Sequence, residues 1–235
     1  MSREEFMAHL KNNPGDDEAF TSNFTVIRRR EGKLVAIPYS VFFAEELGKA
    51  AVWMREAAAL TETVSLRRFL SSRADAFASN DYRRSDMDWM DLESHDLEVV
   101  MGPYEVYEDA LFGYKAAFES FVTWVDRDES ERLRKLSGTM DELERNLPVD
   151  DRCRNFNRGK GSPIVVAHEI FSAGDTRAGI QTTAFNLPND EFVREAKGSK
   201  KVLLKNIARA KYDKCWVPIV ERVLSEKDLE KVSFD

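Results

Sequence analysis

Residues 98–125 read EVVMGPYEVYEDALFGYKAAFESFVTWV. Two runs rich in β-branched and aromatic residues flank a Gly-containing corner, a pattern that predicts paired strands. Between them stand Glu105, Tyr107, Glu108, Asp109 and Glu119 among aromatic rings. Residues two apart share one face of a strand, so reading Tyr104-Glu105-Val106-Tyr107 as strand points Glu105 and Tyr107 the same way. A carboxylate beside a phenol can bind a cation and donate to an oxyanion. The same residues also suit an ordinary half-buried hairpin with a charged edge, and the pattern alone favours that hairpin.

Towards the amino terminus the composition turns helical. Phe43, Leu47, Ala51, Met54 and Ala58 recur at three- and four-residue steps and predict an amphipathic helix from about Ser40 to Leu60. Leu66, Phe69, Leu70 and Phe77 continue that logic to Asn80, and Asp81 to Leu92 reads as a third helix carrying Trp89. Further out, Thr25–Arg30 and Lys33–Ile37 around Glu31-Gly32 predict a hairpin. Its Arg28, Arg29 and Arg30 suit an exposed edge that discourages pairing, or a phosphate contact. Arg3 to Leu10 predicts a short helix ended by Asn12-Asn13-Pro14-Gly15, with a second short helix to Thr21. The shift to β-branched residues at Leu97 puts any internal boundary near residues 93–96.

Towards the carboxyl terminus, Asp128 and Glu131 resemble a capping box, and Leu133, Leu136, Met140 and Leu143 supply the stripe of one helix from Asp128 to Asn146. That helix is the one evident crossover. Asp151–Ser162 is a basic, Gly-containing connection without a phosphate-loop motif. Ile164–Phe171 and Gly179–Phe185 predict strands joined by the turn-rich Ser172–Asp175. Asn186-Leu187-Pro188-Asn189 then sets two side-chain amides at a strand end. Lys200–Leu204 predicts a short strand, and Asn206 caps a last helix in which Trp216, Ile219, Val220 and Val223 share a face and Pro218 kinks the helix or resets its start. The fold class expected is α+β. A mainly helical part with an early hairpin (1–92) precedes a β-rich part with a mainly antiparallel or mixed sheet and a crossover helix (93–204). A carboxyl-terminal helix follows (205–235).

A chain of 235 residues can bury a sizeable core. With 35 basic against 42 acidic residues its formal net charge is −7, which disfavours nucleic acid and anionic membrane as partners and favours cationic ligands. A peptide amino terminus is such a ligand. Cys153 and Cys215 have neither CxxC nor regular spacing, so a reducing, cytoplasmic setting is expected rather than a disulfide framework. The opening MSREEFMAHLKNNPGDDEAF is too charged for a signal peptide, and no apolar run approaches the ~20 residues of a membrane span. Metal ligands are scarce. His168-Glu169 is the one His-Glu pair, Ser172 stands where a His-x-x-x-His helix would put its second ligand, and His9 and His95 are isolated, so no complete metal site is expected within the chain. No G-x-S-x-G occurs.

Two blocks carry a family likeness. GPYEVYED…FGYKAAFESFV resembles the segment preceding the zinc site in the dipeptidyl peptidase III family of metallopeptidases. Phe185-Asn186-Leu187-Pro188-Asn189-Asp190, then Gly198-Ser199-Lys200-Lys201-Val202 and Asn206, resembles that family's N-x-P-N segment with its subsequent G-x-K-x-V and Asn. The blocks lie in the family's order, and the likeness is closest to the bacterial branch. The family's His-Glu-x-x-Gly-His and Glu-Glu-x-x-Ala-Glu motifs are missing, and the chain stops at Asp235, about where the zinc helix is expected. The resemblance implies a two-lobed zinc peptidase that releases dipeptides from peptide amino ends, with this chain supplying one wall of the cleft. Glu105, Asn186 and Asn189 match positions that hold the substrate's amino terminus and backbone. Tyr107 matches the tyrosine that helps stabilise the tetrahedral intermediate, and Glu119 matches a further cleft carboxylate. Thr182, Thr183 and Ala184 depart from the family's smaller Pro-Ala-Gly-like approach.

Two classes of function are open on this reading. One is the peptide-binding portion of such an enzyme, truncated or completed by a separate or continuing carboxyl-terminal polypeptide that carries the zinc. The other is a non-catalytic peptide-binding or interaction module derived from the family. In either, short peptides with a free amino terminus are the expected partners, and no zinc is expected on this chain.

Overall fold

Ser2 accepts a hydrogen bond from the Glu5 backbone N–H and starts helix α1 (Arg3–Asn12); after the Pro14-Gly15 corner α2 follows (Asp17–Thr21). The computed structural model describes residues 1–93, 96–154, 163–178 and 181–224. Strands β1 (Thr25–Arg30) and β2 (Lys33–Pro38) form the expected hairpin, with Glu31 and Gly32 both at positive φ in its turn. The 40–60 helix is interrupted. Phe43 leaves helical geometry, so α3 (Tyr39–Phe42) and α4 (Ala44–Leu60) are separate, and the Phe43 ring turns onto Tyr39 and Phe118. Next come α5 (Val64–Ser79), closed by Asn80 in the left-handed region, and α6 (Arg83–Met90).

The sheet begins at β3 (Leu97–Glu105) and turns back into β4 (Ala117–Val125). The expected single helix after it is two, α7 (Arg127–Ser137) and α8 (Met140–Arg145), broken at Gly138-Thr139. Its cap is Asp126, not Asp128, because the Asp126 carboxylate accepts the Glu129 N–H at 3.1 Å. Nor is it a crossover between parallel strands: it leads into β5 (Ile164–Gly174), the antiparallel neighbour of β4. Ser172-Ala173-Gly174 is strand rather than turn, since it pairs with Glu119–Phe121, and α9 (Asp175–Ala178) starts directly after it. Strand β6 is Ala184–Leu187, later and shorter than expected, and residues 179–180 of the expected strand lie outside the described residues. So do His95 and most of the basic connection.

After α10 (Glu191–Lys197) strand β7 (Lys200–Leu204) inserts between β5 and β6, giving the order β3-β4-β5-β7-β6. The β5–β7 pair is parallel and the other pairs are antiparallel, so the sheet is mixed within an α+β fold. The chain ends its described part in α11 (Lys205–Lys211), a π-helical turn over Tyr212–Trp216, and α12 (Val217–Val223) with Pro218 in its first turn. Asn206 does not cap α11. Its side-chain amide clasps β5, accepting the Glu169 N–H and donating to the Glu169 carbonyl, each at 2.9 Å.

One core runs through both the helices and the sheet: Leu47, Met54, Phe69, Leu70 and Phe77 pack with Val100, Phe121, Val202 and Leu204. Two charged pairs lie at the same seam, one between strands and one between helices, and each reaches across it through its cation. The Lys200 ammonium lies 3.0 Å from both Glu98 oxygens, 3.1 Å from the Trp89 carbonyl and 4.0 Å above the Trp89 ring. Arg73, wholly buried, pairs with Asp86 and faces the Tyr82 and Tyr104 rings at 5.3 and 5.6 Å. A second small core of Phe6, Phe20 and Leu34 packs against Leu111, Phe112 and Tyr114 of the β3–β4 connection. No helix among the described residues is long and apolar enough to cross a membrane.

Candidate functional site

Pairing between β3 and β4 slips between Pro103 and Glu105, a bulge that ends the strand at Glu105. The expectation that Glu105 and Tyr107 share a strand face therefore fails, because Tyr107 lies beyond the strand in an exposed turn. Its phenol nevertheless lies near enough to the Glu105 carboxylate to lower its pKa. The turn is held from below. The Asp109 carboxylate accepts the backbone N–H groups of Leu111 (3.1 Å), Tyr114 (2.8 Å) and Lys115 (3.2 Å). Burial pushes the Asp109 carboxyl up, but these bonds outweigh it and keep its pKa low. Lys115 in turn donates to the Phe20 and Ser22 carbonyls at the end of α2 and to Thr25 Oγ1, at 2.6 to 2.8 Å. The first forty residues thus anchor the connection that carries Tyr107.

Glu119 sits mid-strand on β4, opposite Gly102 on one side and Gly174 on the other, and is only 4% exposed. Gly174 has φ +79°, and a Cβ there would lie 2.1 Å from the Phe118 carbonyl oxygen. This close approach brings Asp175 to Glu119. Burial, then the charges of Glu105 and Asp175, push the Glu119 carboxyl up to about 7. Glu105 is raised too, by burial first, with Asp175 adding to it and the Tyr107 phenol opposing.

Opposite these acids, Asn186 projects from β6 and is exposed, while Asn189 donates through Nδ2 to the Tyr104 carbonyl at 2.9 Å, which leaves its amide oxygen and its second N–H to offer. Gln181, Thr182 and Thr183 form the adjoining wall. Gln181 donates to Glu169 at 2.9 Å, Ser172 donates to the other Glu169 oxygen at 2.7 Å, and the Lys211 ammonium donates to the Gln181 carbonyl. Glu105, Tyr107, Glu119, Asn186 and Asn189 all line one cleft of about 650 Å³, together with Asp175, Gln181 and Lys211. Sequence reasoning missed the last three. Gly174-Asp175 reads as an ordinary turn, and its left-handed glycine was the signal available.

Four carboxylates, Glu105, Glu108, Glu119 and Asp175, in a half-enclosed cleft favour a cationic ligand. A unit pair at ~4 Å is worth about 4 kcal/mol at an effective dielectric of 20 and about 1 in water. The described histidines do not fit zinc. His9 Nε2 lies 2.8 Å from Asp16 and its ring stacks on Phe20 at 4.3 Å, while His168, on strand β5, lies 3.4 Å from Asp126. Among the described residues no three His, Cys, Asp or Glu side chains are grouped to hold a metal ion.

The sequence profile described as "Peptidase family M49" matches residues 15–232. A curated Arabidopsis thaliana protein named Nudix hydrolase 3 is 40% identical over 202 residues, which are 86% of this chain and 26% of that protein. Dipeptidyl peptidase 3 of Rattus norvegicus is 25% identical over 176 residues, 72% of this chain and 23% of that protein. Among solved structures, DPP III from Caldithrix abyssi superposes with a TM-score of 0.95 at 59% identity, covering 100% of this chain and 45% of that one. Dipeptidyl-peptidase III from Corallococcus sp. strain EGB gives 0.88 at 46% identity, covering 100% and 44%. The chain spans about a quarter of these curated relatives and under half of the solved chains.

Proposed function

The chain belongs to peptidase family M49, and from that premise we propose that its cleft binds short peptides by their free amino terminus, as the substrate-binding part of a dipeptidyl peptidase III-like metallopeptidase. The observation that carries this reading is the meeting of Glu105, Glu119 and Asp175 with the amides of Asn186 and Asn189 in one cleft. Glu105 and the amide oxygens accept hydrogen bonds from the ammonium group, and Glu119 and Asp175 supply the surrounding negative potential. Strand β6 is the outer strand of the sheet, so its free edge pairs with extended peptide and holds the backbone. Tyr107, exposed at the rim beside Glu105, donates its phenol proton towards charge developing on a scissile carbonyl. Zinc serves peptide cleavage in the intact family; the donor set described here does not fit it, so the metal and the opposite wall come from polypeptide beyond these residues.

The test is titration of one short peptide, free and N-acetylated, into wild type, Glu105→Gln and Asn186→Ala while following amide chemical shifts. The free peptide should bind with shifts clustered at Glu105, Tyr107, Asn186 and Asn189, and both acetylation and either substitution should weaken binding about tenfold, the ~1.4 kcal/mol of one charge-assisted contact. Acetylation without effect overturns the reading.

A further inference from the structure

The β3–β4 connection lines two separate spaces. Tyr107 and Glu108 face the acidic cleft, whereas the stretch from Asp109 to Lys115 closes a cavity of about 510 Å³ against strand β1. Strand β1 has β2 as its one strand neighbour among the described residues, and the Ala116 N–H donates to the Asn23 carbonyl at 3.0 Å, which ties the connection to the start of β1. The lining is aromatic and cationic. Phe6 lies 4.9 Å from Phe112, and Phe112 stacks on Tyr114 at 5.4 Å and 18°, so these rings form one wall already fixed in place. Asp109 is the one acid among the lining residues, and its carboxylate is engaged by the N–H groups of Leu111, Tyr114 and Lys115. Lys115 likewise spends its ammonium on the Phe20 and Ser22 carbonyls and Thr25 Oγ1. Arg28 remains. Its guanidinium is held 4.7 Å over the Phe42 ring and donates to the Ile27 carbonyl at 3.0 Å, and among the described residues no carboxylate pairs with it, so it keeps N–H donors for a ligand.

We propose that this cavity binds a small aromatic carboxylate, its anionic end on Arg28 and its ring against Phe112 and Tyr114, and that its occupancy is felt at Tyr107. The charge balance selects the sign of the ligand. Arg28 and Lys115 line the cavity and Arg3 stands 5.4 Å from the centre of the Phe112 ring, against the single carboxylate of Asp109. Guanidinium meets carboxylate through paired N–H groups, and the stacked rings add a flat apolar surface that a bare inorganic anion leaves unused. The route to Tyr107 is short and made of backbone. The Asp109 N–H bonds the Val106 carbonyl at 3.2 Å and the Gly113 N–H bonds the Asp109 carbonyl at 3.3 Å, so a ring seated against Phe112 and Tyr114 bears on the same corner that presents Tyr107. One connection thus separates an acidic cleft that suits cations from a cationic cavity that suits anions, and the second site is independent of what the first one binds.

The experiment follows amide chemical shifts of the full chain and its Arg28→Gln variant during titration with 3-phenylpropionate, its neutral amide 3-phenylpropionamide, and acetate. In wild type 3-phenylpropionate should move the signals of Val26 to Arg28, of Leu111 to Tyr114 and of Tyr107, and should bind at least about tenfold tighter than either the amide or acetate. Arg28 is exposed, so Arg28→Gln should keep the melting temperature within a few degrees while bringing 3-phenylpropionate down to the affinity of its amide. Equal binding of acid and amide, or full affinity in Arg28→Gln, overturns the anion site. Acetate as tight as 3-phenylpropionate overturns the role of the rings. Shifts that cluster away from β1 and the β3–β4 connection, or none at millimolar ligand, overturn the site altogether. Binding through Arg28 that leaves the Tyr107 signal unmoved overturns the link to the cleft.

Discussion

Glu119 is the residue whose chemistry is most changed by its surroundings. Its carboxyl is raised to about 7, so the folded chain binds that proton more tightly than the unfolded one does. The stabilisation this provides is fully present below about pH 4.3 and is lost as pH climbs through 7, a decline of at most ~4 kcal/mol. Glu119→Gln should flatten that part of the stability curve and make the chain more stable than wild type at pH 8, measured by urea unfolding at pH 5 and pH 8. The same substitution should remove the rise in affinity for a free amino terminus between pH 6 and 8, because ionised Glu119 is the form that attracts a cation. An unchanged pH dependence of stability would show that another group titrates in this range. At this scale the sequence was informative about identity and silent about environment: Glu105, Glu119, Asn186 and Asn189 were legible as residues, but the raised pKa depends on Asp175, which only the close approach at Gly174 brings near.

Among the elements, β4 and β5 meet closely where Gly174 faces Phe118. Gly174→Ala faces both a left-handed φ and a Cβ 2.1 Å from a backbone oxygen, and backbone cannot swing aside as a side chain can. A cost of about 2–4 kcal/mol in denaturant unfolding is expected, together with weaker peptide binding as Asp175 moves. Gly113, also at positive φ, is the control. The nearest atom to its added Cβ is the Val106 oxygen at 4.0 Å, so Gly113→Ala should cost only the ~1 kcal/mol of its φ. Helix α4 was legible because Leu47, Ala51, Met54 and Ala58 repeat at helical spacing and all four are buried. Elements set by tertiary pairing were not. Ser172-Ala173-Gly174 has turn chemistry, yet hydrogen bonds to β4 hold it as strand, and Asn206, a good cap in isolation, is drawn instead to the Glu169 backbone.

The whole molecule is fastened across its helix–sheet seam by buried charge as well as by apolar packing. Lys200→Met would take the ammonium away from the Glu98 carboxylate at a site with no exposure, a loss of about 3–5 kcal/mol in denaturant unfolding, whereas Glu98→Leu with Lys200→Met should recover most of it. If the double variant is as unstable as the single, the Lys200–Glu98 contact itself, and not the cost of burying Glu98 without that ammonium, sustains the fold. An α+β chain with a helical opening was legible from the composition shift at Leu97, but the sheet order was not, because strand patterns say which residues face a core and nothing about which strand sits beside which. That order has a consequence for synthesis. Strand β6 is made before β7, yet β7 is its only strand neighbour among the described residues, so a chain emerging from the ribosome exposes Ala184–Leu187 without that partner until Lys200–Leu204 has emerged as well. The acidic half of the cleft, built on β3, β4 and β5, can form earlier in translation than its amide half, and a nascent chain arrested between the two would hold the carboxylates in place with no Asn186 opposite them.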